Sequence, residues 1–548
     1  MSSTSLDDSP GLNRRQLLRM IGLTAGNAAM YQAMSSLGFA ADSTYTGPIN
    51  LQGAPKGASV LVLGAGIAGL VAAYEMRKAG YKVQVLEYNA RPGGRNWTLR
   101  GGDRYTELGG LAQECQFDKD LYINPGPWRL PYHHRGILSY CKKLNVPLEP
   151  FIQINYNAYV HARKGFGGKP QRYREVKSDY QGQVAELLAK ATKQNALDQQ
   201  VTAEDREKLL ESLRDWGALD KNFQYVAGQR SNERRGFERP PGGGLDARPE
   251  FSKPIGLSEI LQSGIWQGIA FADEYDMQQT LMQPVGGMGR IGEAFGRELG
   301  DAIRYNAKIT QIKQSDHGVT VTYEDTTAAA PAKGAPASAA LTATADWCVC
   351  TIPLSILSQI DMNVGAPMAQ AIAAVPYASA VKIGLQFKRR FWEEDDHIYG
   401  GITYTDLPIQ NIGYPSNGFQ DSGKGVLLGA YIWGMDAMEF TSLSPEGRVK
   451  RAIDQGGQIH PQYRDEFDNG ISVAWHRSPF TLGCFGVWNE DTRGKHYDNL
   501  CQVDGRIVLA GEHASYIPGW QEGAVTSSLD AIGRLHQRAV AQGAGAKA

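Results

Sequence analysis

The residues best placed to do chemistry begin with a glycine series. Gly64-Ala65-Gly66-Ile67-Ala68-Gly69 lies between the β-prone run Ser59-Val60-Leu61-Val62-Leu63 and a helical stretch from Leu70 to Ala79. The three glycines have separate roles. Gly64 permits a tight turn, Gly66 lets a pyrophosphate approach the backbone, and Gly69 lets helix and strand pack closely. The start of the helix adds free N–H groups and the positive end of its dipole. A second strand, Lys82 to Leu86, ends at Glu87, about 20 residues on, where a carboxylate accepts hydrogen bonds from ribose hydroxyls. This is a dinucleotide site, and nicotinamide and flavin cofactors share it.

The next residues separate the two. Arg91-Pro92-Gly93-Gly94-Arg95-Asn96-Trp97-Thr98 is an R-x-G-G-R-x-x-T run directly after the acidic strand end, and it resembles the flavin-containing amine oxidase family. The carboxyl-terminal part resembles the same family: Ala510-Gly511-Glu512 ends a strand, and Gly519-Trp520-Gln521-Glu522-Gly523-Ala524 opens a last helix. So does Pro284-Val285-Gly286-Gly287-Met288-Gly289 in the middle of the chain. The resemblance implies FAD, with Gly94 and Arg95 at the pyrophosphate and ribityl region and Glu512 at the ribityl hydroxyls. It places Gly511 and Trp128 among the cofactor contacts, and Ile309, in a hairpin of Tyr305–Ile309 with Val319–Tyr323, against the adenine. Gly519 and Trp520 then border the substrate.

Within that family, Asn124-Pro125-Gly126-Pro127-Trp128-Arg129-Leu130-Pro131 resembles the G-P-x-R-L-P segment of the L-amino-acid oxidases. The resemblance assigns Arg129 to the substrate α-carboxylate, which a planar guanidinium fits with two donors. It gives Tyr414, in Ile412-Gly413-Tyr414-Pro415, a second hydrogen bond to that carboxylate. Lys382, in an otherwise apolar strand pattern, takes the catalytic place of a lysine that holds a water near the flavin. Cys484, in Leu482-Gly483-Cys484-Phe485, resembles the cysteine that carries covalent flavin in monoamine oxidases, but the carboxylate-binding features point to the branch with non-covalent FAD. Trp520, Trp433 and Phe485 are candidate pocket walls, and Glu522 or another acid is a candidate partner for a cationic side chain such as that of L-arginine.

The implied reaction is hydride transfer from the α-carbon to the flavin, reoxidation by molecular oxygen with release of hydrogen peroxide, and hydrolysis of the imino acid to a 2-oxo acid and ammonia. The cofactor carries this chemistry. An amine or polyamine oxidase, an amide-forming amino-acid monooxygenase and a flavoprotein without turnover are the alternatives, and Arg129 argues against the first.

These residues must be positioned by a large scaffold. The 548 residues are 42% hydrophobic and 21% charged, enough for several folding units at roughly 150 residues each. The expected class is α/β: a Rossmann-like FAD domain assembled from residues 57–110, 282–370 and 490–545, a mixed-sheet substrate domain from 111–165 and 371–489, and a mainly helical domain over 166–281. Ser178 to Gln194 and Thr202 to Trp216 read as helices, the second with Thr202 and Asp205 as a capping box and Leu209, Leu213 and Trp216 on one face. Arg230 to Pro249 and Thr326 to Ala345 read as flexible loops.

A formal net charge of -1 argues against a nucleic-acid partner. The six cysteines and ten histidines show no C-x-x-C or H-E-x-x-H spacing, so no metal site is expected, and Cys348 and Cys350 read as strand packing. Asn13-Arg14-Arg15-Gln16-Leu17-Leu18, a mildly apolar run and Gly38-Phe39-Ala40-Ala41 resemble a twin-arginine export signal over residues 1–41, which implies a periplasmic or secreted protein. No segment reaches the ~18 apolar residues of a membrane span, so stable membrane insertion is not expected. The expected partners are a small L-amino acid and molecular oxygen, with a homo-oligomer left open.

Overall fold

The computed structural model describes residues 43–194, 202–271, 273–327 and 340–545. The candidate export signal lies outside them. At the centre of one half is a six-stranded sheet in the order Ile303–Arg304, Lys82–Leu86, Ser59–Leu63, Trp347–Cys350, Ile507–Leu509, Val503–Asp504. The first five strands run parallel, and the last pairs antiparallel with its neighbour. Strands covered on both faces read as continuous apolar runs, and Val60 to Leu63 are all buried.

One face of this sheet carries helix Ile67–Lys78, which packs against Gly289–Leu299 and the terminal helix Gln521–Gly545 in a single apolar cluster. The other face packs a second cluster that includes Cys348, Cys350, Ile309 and Trp488. Alternation explains the split: Val60 and Val62 belong to the first cluster, Leu61 and Leu63 to the second. Cys348 and Cys350 are free and fully buried, on one face.

Strand Ala307–Ser315 pairs antiparallel with Gly318–Asp325, with Ile309 opposite Tyr323. The next segment differs in part from a loop: Leu341–Ala345 forms a strand that adds to Gly318–Asp325, because Leu341, Ala343 and Ala345 alternate with polar threonines and match its pleat. Residues 328–339 of the expected loop lie outside the described ones.

A second half rests on a seven-stranded mixed sheet in the order Gln171–Arg172, Tyr159–His161, Ile402–Thr405, Asn411–Gly413, Gly425–Trp433, Ala380–Phe387, Phe467–Ala474. Helices Tyr173–Lys193 and Ala203–Trp216 follow its first edge strand. Thr202 caps the second helix by accepting from the Asp205 amide at 3.1 Å. Leu213 is buried there, whereas Trp216, expected on the same face, is 49% exposed because the face is complete one turn earlier.

The Arg230–Pro249 segment is also more ordered than its composition suggests. Gln229–Arg235 is a helix whose Arg235 pairs with fully buried Asp179 at 2.7 Å, and Arg239 bridges to Glu250. Asp179 also accepts from Tyr225 Oη and the Ile255 amide, so one buried carboxylate fastens three stretches of the helical region.

Candidate active site

The dinucleotide fingerprint adopts the geometry its glycines permit. Gly64 has φ +98°, and its amide donates to the Leu86 carbonyl at 2.8 Å, which ties the turn to the second strand. A Cβ on Gly69 would overlap the Gly64 carbonyl oxygen, so helix and strand meet at a distance only glycine allows. Glu87 is buried at the strand end; Oε2 accepts from the Ala65 amide at 2.6 Å and Oε1 from the Asn89 amide at 2.8 Å. With Gly64, Gly66, Gly94, Arg95 and Ile309 it lines a small cavity of about 80 Å3, bordered by Tyr88 stacked on Phe480 at 4.3 Å.

A second cavity of about 150 Å3 continues from Gly66, Gly93 and Arg95 past Gly511 and Glu512 to Trp128, Arg129, Cys484, Phe485, Gly519 and Trp520. Gly66, Arg95 and Thr351 line both, so together they form one elongated cleft along the glycine turn. Glu512 is buried where the segments converge: it accepts from Arg95 Nη1 at 2.8 Å and from the Gly519 amide at 3.2 Å. A cleft with a buried carboxylate at one end, a helix start and glycine amides at its waist, and aromatic walls at the other end fits FAD, which Glu87, Gly66, Arg95 and Glu512 could hold.

Lys382 stands behind the wall of the inner cavity. In Ala380–Phe387 the odd positions Val381, Ile383, Leu385 and Phe387 enter the core behind the seven-stranded sheet, which leaves Lys382 on the opposite face with Ala380. Its Nζ donates to the carbonyls of Gly126 at 2.6 Å and Asn124 at 3.3 Å, and lies over the rings of Tyr431 at 4.2 Å and Trp128 at 5.2 Å. Burial pulls its pKa down to about 7.

Arg129 lies in the same wall. Its Nη2 meets the Met277 sulfur at 2.8 Å, its buried Nε has no hydrogen-bond partner among the described residues, and Trp128, Trp520 and Phe151 surround the guanidinium at 5.6, 5.8 and 6.0 Å. Arg129, Trp128, Tyr431 and Trp433 also line an outer cavity of about 480 Å3 that reaches Gln410, Asp406 and Asp436.

Tyr414 is not brought to this place. It is buried in the core with its hydroxyl between Thr403 Oγ1 at 2.8 Å and His460 Nε2 at 2.6 Å. Strand parity is the cause: Ile412 and Tyr414 face the core, and Gly413 between them faces Trp128, whose ring fills the space a side chain at 413 would take. Glu522 is likewise withdrawn. Fully buried, it accepts from the amides of Gly136 at 2.8 Å and Ile137 at 2.8 Å, capping the helix Arg135–Lys143, and it takes a bond from Ser43 Oγ.

The structure adds Tyr431 and His134 to the cavity lining. Tyr431 escapes a strict alternating pattern because the pairing with Ala380–Phe387 shifts register at Gly429. The bulge places Tyr431 and Trp433 on the same side as Val426 and Leu428. His134 packs edge-on to Trp520, with ring centroids 5.0 Å apart. Cys484 lines the cavity, and burial raises its thiol to about 12.

The parallel sheet with its glycine turn and acidic strand end, joined to a mixed-sheet half across an aromatic cavity, defines an FAD-dependent oxidoreductase. The chain belongs to the flavin-containing amine oxidoreductase family, whose model matches residues 67–532. It is 28% identical to YobN of Bacillus subtilis (strain 168) over 488 residues, covering 86% of this chain and 93% of that one. It is 28% identical to the L-amino-acid oxidase of Crotalus adamanteus over 484 residues, 86% of each chain, and 27% identical to that of Siganus canaliculatus over 488 residues, 87% of this chain and 85% of that one. Among solved structures, cyclohexylamine oxidase from Brevibacterium oxydans IH-35A superposes with a TM-score of 0.57 at 15% identity, over 88% of this chain and 99% of that one. Putrescine oxidase bound to putrescine gives 0.54 at 18% identity, over 88% and 98%. These two share the fold.

Proposed function

We propose that the protein is an L-amino-acid oxidase, converting L-amino acids with water and molecular oxygen to 2-oxo acids, ammonia and hydrogen peroxide. The observation that carries this reading is Arg129: a guanidinium enclosed by three aromatic rings, on the wall shared by the cofactor cleft and the outer cavity, with its Nε unsatisfied. A half-buried guanidinium that makes no ion pair and leaves its buried Nε without a hydrogen-bond partner among the described residues favours a ligand that supplies an anion, and an α-carboxylate matches its two-pronged face.

FAD, when bound, supplies the two-electron acceptor. The chain's own residues bind and orient the substrate. Arg129 holds the carboxylate, and Trp520, Trp433 and Tyr431 form apolar walls that exclude water and fix the α-carbon. Lys382 suits the handling of a proton. As a neutral amine, it spends its two N–H groups on the Gly126 and Asn124 carbonyls and keeps one lone pair, which from behind the cavity wall takes the proton of the substrate ammonium by way of a water.

The outer cavity supports a polar or basic substrate side chain such as that of L-arginine. Asp436, which accepts from Gln410 Nε2 at 2.8 Å, and Asp406, 3.5 Å from Arg163, give it acidic groups that Glu522 cannot supply. The Cys484 thiol, which desolvation keeps protonated, supports a non-covalent flavin, and the Arg14-Arg15 pair supports export to the periplasm or beyond.

The reading is tested by peroxide release from purified flavoprotein with a panel of L-amino acids beside their decarboxylated amines, arginine and agmatine forming one pair. Turnover of the acids with stoichiometric 2-oxo acid is the expected result. Turnover of the amines alone, or formation of amides in place of peroxide, overturns it.

A further inference from the structure

Beside Trp520, outside the roles assigned above, three ligand-type side chains converge in the interior. His133, His134 and Asp276 are all buried, and one donor atom from each lies within 4.8 Å of the others; no other such cluster of three occurs among the described residues. His133 Nε2 and His134 Nε2 stand 3.4 and 3.7 Å from the same Asp276 oxygen, Oδ1. These separations exceed the ~3.2 Å reach of a good N–H···O bond, and neither His134 nitrogen nor Asp276 Oδ1 has a hydrogen-bond partner among the described residues. Buried polar groups are ordinarily satisfied, and an imidazole and a carboxylate left unsatisfied side by side call for an occupant.

The spacing identifies one. Ligands on a tetrahedral zinc ion at about 2.0–2.2 Å stand ~3.4 Å from one another, close to the two separations seen here. Two imidazoles and one carboxylate are also a donor set suited to zinc and its divalent first-row neighbours. We propose that His133, His134 and Asp276 form a three-ligand site for a divalent transition-metal ion next to the substrate cavity. No ligand motif announces it, because the aspartate joins from a separate segment: His133 and His134 precede the helix Arg135–Lys143, and Asp276 sits in the short turn Tyr275–Met277. The Asp276 side chain keeps 12% of its surface exposed, which leaves a route of entry from solvent. His134 also packs against Trp520, so the ion fixes one wall of the cavity through this imidazole.

The experiment uses untagged, flavin-loaded protein, dialysed against a chelator and then against metal-free buffer, with Zn2+ alone as the probe. Zinc retained after gel filtration is measured by mass spectrometry, and the melting temperature is followed as Zn2+ is added. The expected result is one zinc per chain and a rise in melting temperature, with retention at least tenfold weaker in Asp276→Asn and in His133→Gln. The unchanged visible flavin spectrum certifies folding of each variant. Failure of the wild type to retain zinc, or equal retention by a folded variant of either kind, overturns the proposal.

Discussion

Replacing Arg129 by methionine tests the assignment most directly, because the structure predicts opposite effects on catalysis and on stability. In the protein alone the guanidinium meets the Met277 sulfur and aromatic faces, and its Nε has no hydrogen-bond partner among the described residues. Methionine keeps much of the side-chain volume and removes a half-buried charge that has no ion pair among the described residues, so the melting temperature should hold or rise. A bound carboxylate, by contrast, loses its partner in a site shielded from water. Removing one side of such a pair costs about 3–4 kcal/mol, within the range found for buried hydrogen-bonded charges. At about 1.4 kcal/mol per tenfold, kcat/KM for the best L-amino acid should fall by about 10²- to 10³-fold. For the amine lacking the carboxylate, it should change by less than about threefold, the size of an ordinary packing adjustment. The assay is initial-rate peroxide release for acid and amine with both proteins, giving a four-cornered cycle. An equal loss on acid and amine, or a lower melting temperature with loss of flavin, would refute the reasoning and make Arg129 a structural residue.

Burial disfavours the Lys382 ammonium, so its pKa falls to about 7 and the group is neutral above that value. Activity that uses its lone pair should therefore rise with pH through about 7, and Lys382→Met should abolish that limb and lower kcat by about 10²-fold. The same limb in the variant would assign the titration elsewhere. In Gly69→Ala the added methyl overlaps the Gly64 carbonyl oxygen and lies 3.0 Å from Thr351 Oγ1. Forced overpacking of this kind costs about 1–3 kcal/mol, so the variant should melt lower and be purified with a reduced flavin-to-protein absorbance ratio. Cys484, raised to about 12, stays a thiol at neutral pH. Acid precipitation should leave the flavin in the supernatant, Cys484→Ala should keep its yellow colour, and flavin pelleting with wild type but not with the variant would establish a covalent link.

What the sequence by itself determined was local. Gly64, Gly66, Gly69 and Glu87 fall within one strand-turn-helix-strand unit, so the conformations they need are written in adjacent residue types. The capping of Ala203–Trp216 by Thr202 is equally local. Resemblance in short motifs added the family and brought Arg129 and Trp520 to the same cavity. What tertiary structure decided was which way a side chain faces and which distant groups it meets. One step of strand parity sends Tyr414 to His460 and turns Gly413 toward Trp128. A bulge at Gly429 turns Tyr431 toward Lys382. Arg235 becomes part of a helix held by Asp179, although its neighbours are the glycines, prolines and arginines of a loop. Glu522 leaves the substrate to cap a helix nearly 400 positions earlier in the chain, at Gly136 and Ile137. The physical reason is common to all four: burial rewards a polar side chain only where its partners are, and those partners lie on other segments that no local pattern can bring together.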